Sequence, residues 1–93
     1  MIGIVSEYYQ VKGEDLVHSR RGYFNEARNV AMYLSRRLRG DRLQEIGNEF
    51  GAGKYITVSS VVERVKVLIA RDKILRERVD LLISMIIKSQ KKT

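Results

Sequence analysis

The chain of 93 residues has no cysteine, no proline, no tryptophan and a single histidine. Each absence removes a class of explanation. Without thiols there is neither a disulfide framework nor a thiolate zinc site, which fits a reducing cytosol, so a cytoplasmic location is expected. His18 has no cysteine to activate, and no two carboxylates are spaced for general acid-base work, so the chain is not expected to be an enzyme. A metal centre needs several His, Cys or clustered carboxylates, and neither a metal nor another cofactor is expected. Gly51-Ala-Gly53-Lys54 has part of a phosphate loop but lacks the preceding strand, the full glycine spacing and the hydroxyl after the lysine, which sets nucleotide binding aside. Apolar runs are short. Leu81-Leu-Ile-Ser-Met-Ile-Ile87 cannot cross a bilayer, and the amino terminus lacks the basic-then-apolar order of a secretion signal.

Acidic residues are outnumbered: 18 Lys and Arg face 11 Asp and Glu, for a net charge of +7. So large an excess on a small domain favours a polyanionic partner, of which nucleic acid is the commonest. A merely well-solvated surface is the plain alternative. A membrane surface is not expected as a partner, because the apolar positions are needed for the core.

Seven glycines, no proline and helical spacing almost throughout predict an all-α fold, a small helical domain spanning residues 1–93. Ile2, Val5, Tyr8 and Tyr9 make a short apolar stripe that Gly13 interrupts, and Glu14 to Val17 allow one further turn before the basic link His18-Ser-Arg-Arg-Gly22. Asn25 is the expected cap of the next helix, whose buried face holds Ala27, Val30, Ala31, Leu34 and Leu38 and whose other face is basic. Gly40 and Asp41 end it, with Asp41 expected to cap the helix containing Leu43, Ile46 and Phe50. Asp72 is placed to cap a last helix through Ile74, Leu75, Val79, Leu82, Ile83 and Ile86, although one bent helix is an alternative. The tail Lys88 to Thr93 is polar and basic and is expected to fray.

Residues 42–70 carry the most informative pattern. Ile46 and Phe50 share a face, Gly47 is small where a crossing helix needs room, and Gly51 is suited to the positive φ of a sharp helix end. Val58, Val61, Val62, Val65, Leu68 and Ile69 then follow the spacing of a helix with one buried side, running to about Ala70. This reads as a helix-turn-helix whose second helix enters a DNA groove, or as two helices of an αα-hairpin with no groove partner.

Basic and polar residues group around it. Arg20 and Arg21 lie in the link, where a guanidinium can reach a narrow minor groove, or simply be solvated. Arg28, Arg36 and Arg39 recur roughly on one side of a helix, as phosphate contacts require and as solvated faces often do too. Lys54, Tyr55, Ile56, Thr57, Ser59 and Ser60 occupy the turn and first turns of the second helix, where base edges are read, although Tyr55 and Ile56 are also placed to close the core. Arg71, Arg76 and Arg78, interleaved with Asp72, Glu77 and Asp80, read as a mixed solvent face.

Taken together, these residues resemble the carboxy-terminal DNA-binding domain of the bacterial replication initiator DnaA. The likeness covers Val5-Ser-Glu-Tyr-Tyr9, Glu14-Asp-Leu16, Arg20-Arg21, Arg28-Asn-Val-Ala-Met-Tyr-Leu34 and Leu43-Gln-Glu-Ile-Gly-Asn-Glu-Phe-Gly51. It implies double-stranded DNA as partner, a minor-groove arginine at Arg21, and phosphate contacts from Arg28, Asn29 and Arg36. The family pattern Gly-Arg-Asp-His-Thr-Thr-Val is here Ala52-Gly-Lys-Tyr-Ile-Thr-Val58, so only Thr57 and Val58 match and the initiator's own recognition sequence is not the expected target. The initiator's ATPase domain has no counterpart in the chain. Tyr55-Ile-Thr-Val-Ser59 is similar to the Tyr-Ser-X-Val-Ser pattern of DnaA-like domains attached to transposases of repetitive extragenic palindromes, and the chain would then be a DNA-binding portion separate from their catalytic motifs. The alternative function is a helical protein-interaction module in which Leu75, Leu82 and Ile86 leave a strip for a protein partner.

Overall fold

Between Glu26 and Leu38 apolar residues occupy most positions that are not arginine, and this segment forms the central helix. The computed structural model describes residues 2–12, 26–51 and 54–90, which form five helices and no strand: α1 (Ile2–Tyr9), α2 (Glu26–Leu38), α3 (Leu43–Glu49), α4 (Tyr55–Arg71) and α5 (Lys73–Gln90). Gly13, Glu14 to Val17, the link with Arg20 and Arg21, and Asn25 lie outside the described residues, as do Ala52, Gly53 and residues 91–93.

α2 packs against α1, α3 and α4, while α5 packs against α1 and α4. The expected face of α2 is found, with Ala27, Val30, Ala31 and Leu34 buried and Leu38 half-buried. Burial extends further round, to Arg28, Met32, Tyr33 and Ser35, because three helices surround α2 rather than one. The buried Ser35 hydroxyl donates to the Ala31 carbonyl one turn back (3.0 Å), the usual way for a hydroxyl inside a helix to be satisfied. Phe50, Ile46, Val58, Leu82 and Ile86 complete one core, each large apolar side chain contributing about 1.5–3 kcal/mol by leaving water.

Helix ends follow local chemistry, not always the chemistry expected. α1 ends at Gln10, which takes φ 55°, with Gln10 N–H donating to Glu7 and Val11 N–H to Ser6, a Schellman closure formed without glycine. Gly40 (φ 66°) turns the chain after α2. Asp41 does not cap α3: Arg42 occupies the cap position, the Glu45 carboxylate accepts the Arg42 N–H at 3.0 Å, and Asp41 is drawn to Arg39 at 3.3 Å. Asp72 does cap α5, its Oδ1 accepting the N–H groups of Ile74 (3.0 Å) and Leu75 (3.2 Å), so α4 and α5 are two helices divided by one residue. From the next turn Arg76 reaches back to the carbonyls of Ile69 (3.0 Å) and Ala70 (3.1 Å), closing the end of α4. Arg76 is therefore a capping residue rather than part of an undifferentiated solvent face. At the other end of α5, Lys88 to Gln90 continue the helix instead of fraying.

The apolar strip expected on α5 is placed differently. Leu75, Leu82 and Ile86, expected to leave a strip for a partner, are buried in the core, while Ile74 on the same helix is 63% exposed.

Candidate nucleic-acid interface

Gly51 has φ 64°, and this left-handed residue stops α3 and redirects the chain toward α4. A methyl group on Gly47 would stand 3.4 Å from Val58 Cγ2 and 3.9 Å from the Lys54 carbonyl, so the small residue permits the close crossing of α3 and α4. α4 then turns Val58, Val62 and Val65 inward, with Val61, Leu68 and Ile69 half-buried against the core. The helix-turn-helix geometry is present, with its second helix extending to Arg71.

The opposite side of α4 is open. Tyr55 and Ile56 are each 60% exposed, so neither closes the core. Lys54, Thr57 and Ser60 are exposed and Ser59 is half-buried. Lys54 is the cap position of α4 and offers no side-chain acceptor, so no side chain covers the first turn.

α2 passes beneath α4 and presents polar residues to two clefts along it. Asn29 lines a cleft of about 190 Å³ with Thr57, Ser60, Val61 and Arg64. Seven residues along, Arg36 lines a cleft of about 360 Å³ with Tyr33, Arg37, Val62 and Lys66, beside a smaller one bounded by Leu43, Ser59 and Glu63. Asn29 is thus brought beside Thr57 and Ser60, and Arg36 beside Ser59, while Lys54 lines neither cleft. Arg64 was not among the expected site residues, yet Thr57, Ser60 and Arg64 are spaced i, i+3, i+7, and that helical repeat is a signal the sequence contained.

Two of the arginines expected at phosphates have partners within the fold. Arg28 is only 7% exposed and donates from Nη2 to the Phe50 carbonyl at 2.9 Å; the burial that places it there also lowers its pKa. It holds the end of α3 from within, because α2 is enclosed on that side. Arg39 faces Asp41 (3.3 Å) and Glu49 (3.8 Å), which compensate its charge. Arg36 keeps its exposure and donates to the Asp41 carbonyl at 2.9 Å. Arg20 and Arg21 are outside the described residues.

Away from this face Glu26 accepts two donors. Tyr9 donates its hydroxyl at 2.6 Å and Arg78 its Nη1 at 2.9 Å, joining α1, α2 and α5. Burial, then the hydrogen bond to Glu26, raises the Tyr9 pKa well above the ordinary tyrosine range, and the same carboxylate raises that of Arg78. Sequence spacing had left Arg78 on a mixed solvent face, since a partner 52 residues away is invisible to local pattern.

Among the described residues no group of His, Cys, Asp or Glu is placed to hold a metal, and no helix is long and apolar enough to cross a membrane. Residues 1–65 match the model of the bacterial DnaA protein helix-turn-helix. The chromosomal replication initiator protein DnaA of Rhodopseudomonas palustris (strain BisB18) is 39% identical over 80 residues, covering 85% of this chain and 17% of the relative. That of Ehrlichia ruminantium (strain Gardel) is 35% identical over 83 residues, covering 88% of this chain and 18% of the relative. The chain thus spans less than a fifth of the length of these relatives. No solved structure matches significantly. With the family model covering most of the chain and the helix-turn-helix geometry in place, the chain belongs to the bacterial DnaA helix-turn-helix family, a family of DNA-binding domains.

Proposed function

We propose that this chain binds duplex DNA by laying the first turns of α4 in the major groove. The observation that carries the reading is the exposure of Tyr55 and Ile56 at the start of a helix whose valines are buried and whose crossing is set by Gly47 and Gly51. Apolar or aromatic side chains that the core does not need can pack on thymine methyl groups, while Lys54, Thr57 and Ser60 supply hydrogen bonds to bases or backbone. Arg36 and Asn29 contact phosphates on either flank, and Ser59 supports Arg36 from its side of α4. Arg20 and Arg21 take the minor groove, as the family resemblance implies.

The role is one of binding, without catalysis, in the cytoplasm. Lys54, Tyr55 and Ile56 stand where the initiators read their own sequence, so the target differs from theirs, and the Tyr55-Ile-Thr-Val-Ser59 pattern favours a transposase-associated setting. Fluorescence anisotropy against random duplex DNA and against a selected pool, in a salt series, tests this. Salt-sensitive binding with enrichment of a motif is expected; absence of binding at low salt would overturn the reading.

A second reading rests on Ile74, Leu81 and Met85, which are exposed at i, i+7, i+11 along α5 and offer a strip to a protein partner. A mass that rises with concentration in light scattering, without DNA binding, is its signature.

A further inference from the structure

Cations beside the crossing of α2 and α4 differ in the partners they meet. Arg39, Lys66 and Arg78 each meet a carboxylate, at Asp41 and Glu49, Glu63, and Glu26. Arg36 and Arg37 instead donate to neutral oxygens: Arg36 to the Asp41 carbonyl at 2.9 Å, and Arg37 to the Tyr33 hydroxyl at 2.8 Å with its guanidinium 5.9 Å from the Tyr33 ring centroid. A neutral acceptor orients a guanidinium without cancelling its charge. Among the described residues neither guanidinium meets a carboxylate at ion-pair distance, and both border the same cleft of about 360 Å³, with Lys66 opposite them on α4, the buried Val62 between and Glu63 in the adjoining cleft. The Lys66–Glu63 pair is exposed on both sides; such pairs contribute at most about 1 kcal/mol, so Lys66 is easily redirected to a stronger anion. Three cations thus surround a small floor of Tyr33 and Val62, an arrangement whose summed field attracts an anion.

We propose that this cleft seats a backbone phosphate of the bound duplex, with Arg37 and Lys66 joining Arg36 as its ligands. The proposal rests on α4 being the groove helix. An α-helix with its side chains is roughly 10–12 Å across and the major groove is about 12 Å wide, so the two DNA strands run along the two flanks of an inserted helix. The cleft of Asn29, Thr57, Ser60 and Arg64 faces one strand, and the cleft of Arg36, Arg37 and Lys66 faces the other. Recognition by α4 is thereby bracketed by a phosphate grip on each side, and the grip on the second side belongs to residues that face away from the bases.

The test is the salt dependence of binding to a random-sequence duplex, followed by anisotropy for the full chain and for Arg37→Gln, Lys66→Gln, Arg37→Lys and, as a control on the last turn of α5, Lys88→Gln. Each lost phosphate contact lowers the slope of log K against log salt by about 0.9. That loss is expected for Arg37→Gln and for Lys66→Gln, with Arg37→Lys retaining most of the slope and Lys88→Gln all of it. Circular dichroism checks that the exposed substitutions leave the helices intact. A wild-type slope in both glutamine variants would overturn the cleft while leaving the groove reading standing; no salt-dependent binding by the wild type would sink the groove reading itself. If Arg37→Gln kept the DNA slope but lost binding to phosphatidylglycerol vesicles, the cleft would be a lipid-headgroup site and the proposal wrong.

Discussion

Arg28 of α2 donates to the carbonyl of Phe50 at 2.9 Å, tying the central helix to the last residue before the turn of the helix-turn-helix. The carbonyl is one that α3 leaves without a helical partner, and the donor is a cation brought inside the fold to reach it. Such a bond from a charged group typically contributes about 1.5–3 kcal/mol. Arg28→Met is expected to lower stability by an amount of that order, read as a shift in the urea midpoint. The variant should keep the wild-type salt slope of DNA binding at temperatures where it is folded. A slope reduced by about 0.9 would instead make Arg28 a phosphate ligand, as the family resemblance implied.

Tyr9 and Glu26 give a pH dependence. The Tyr9 pKa in the fold is raised above its ordinary value of 10.0, chiefly by burial and then by its bond to Glu26. The folded state therefore holds the phenolic proton more tightly than the unfolded chain does. The resulting stability is fully present below about pH 10, where neither state has lost the proton, and is lost progressively as pH rises beyond that. Tyr9→Phe is expected to be less stable than wild type at neutral pH and to show a shallower alkaline decline in thermal midpoint. Parallel declines in the two proteins would remove Tyr9 from the effect.

Gly47 and Val58 make a steric prediction. Gly47→Ala adds a carbon at 3.4 Å from Val58 Cγ2, an ordinary contact, while gaining roughly 1 kcal/mol of helix propensity. The substitution is expected to be close to neutral or mildly stabilising. Gly47→Leu has no such space and should cost on the order of 1–3 kcal/mol by overpacking, together with loss of sequence selectivity as α4 tilts. Denaturant titration and motif selection read the two effects separately.

Arg36 and Tyr55 separate backbone contact from base reading. Arg36→Ala is expected to weaken binding to all duplexes alike and to lower the salt slope by about 0.9. Tyr55→Ala should alter the enriched motif, with a loss of roughly 1–3 kcal/mol at its preferred base pair only. Equal behaviour of the two variants across sequences would refute the assigned roles.

Much of this was readable from local pattern. The inward faces of α2 and α4, the positive φ at Gly51 and the Asp72 cap depend on helical spacing and turn chemistry within single segments. Asp41 was misread because a nearby guanidinium competes for its carboxylate, and the chain continues one residue before α3 begins. Leu75, Leu82 and Ile86 are buried rather than left as a strip because a helix that packs on two neighbours has its buried face selected by their positions.

By itself the sequence determined the all-α class, the helix-turn-helix and the basic character, since spacing, turn residues and net charge are local or additive properties. Only the tertiary structure decided which cations remain free to meet a polyanion. Arg28 and Arg36 lie eight residues apart on the same helix; one is enclosed against Phe50 and the other stands open beside α4. Arg39 and Arg78 meet carboxylates brought near by folding, 52 residues distant in the case of Glu26 and Arg78. A charge is counted along the chain, but its partner is set by how the helices pack.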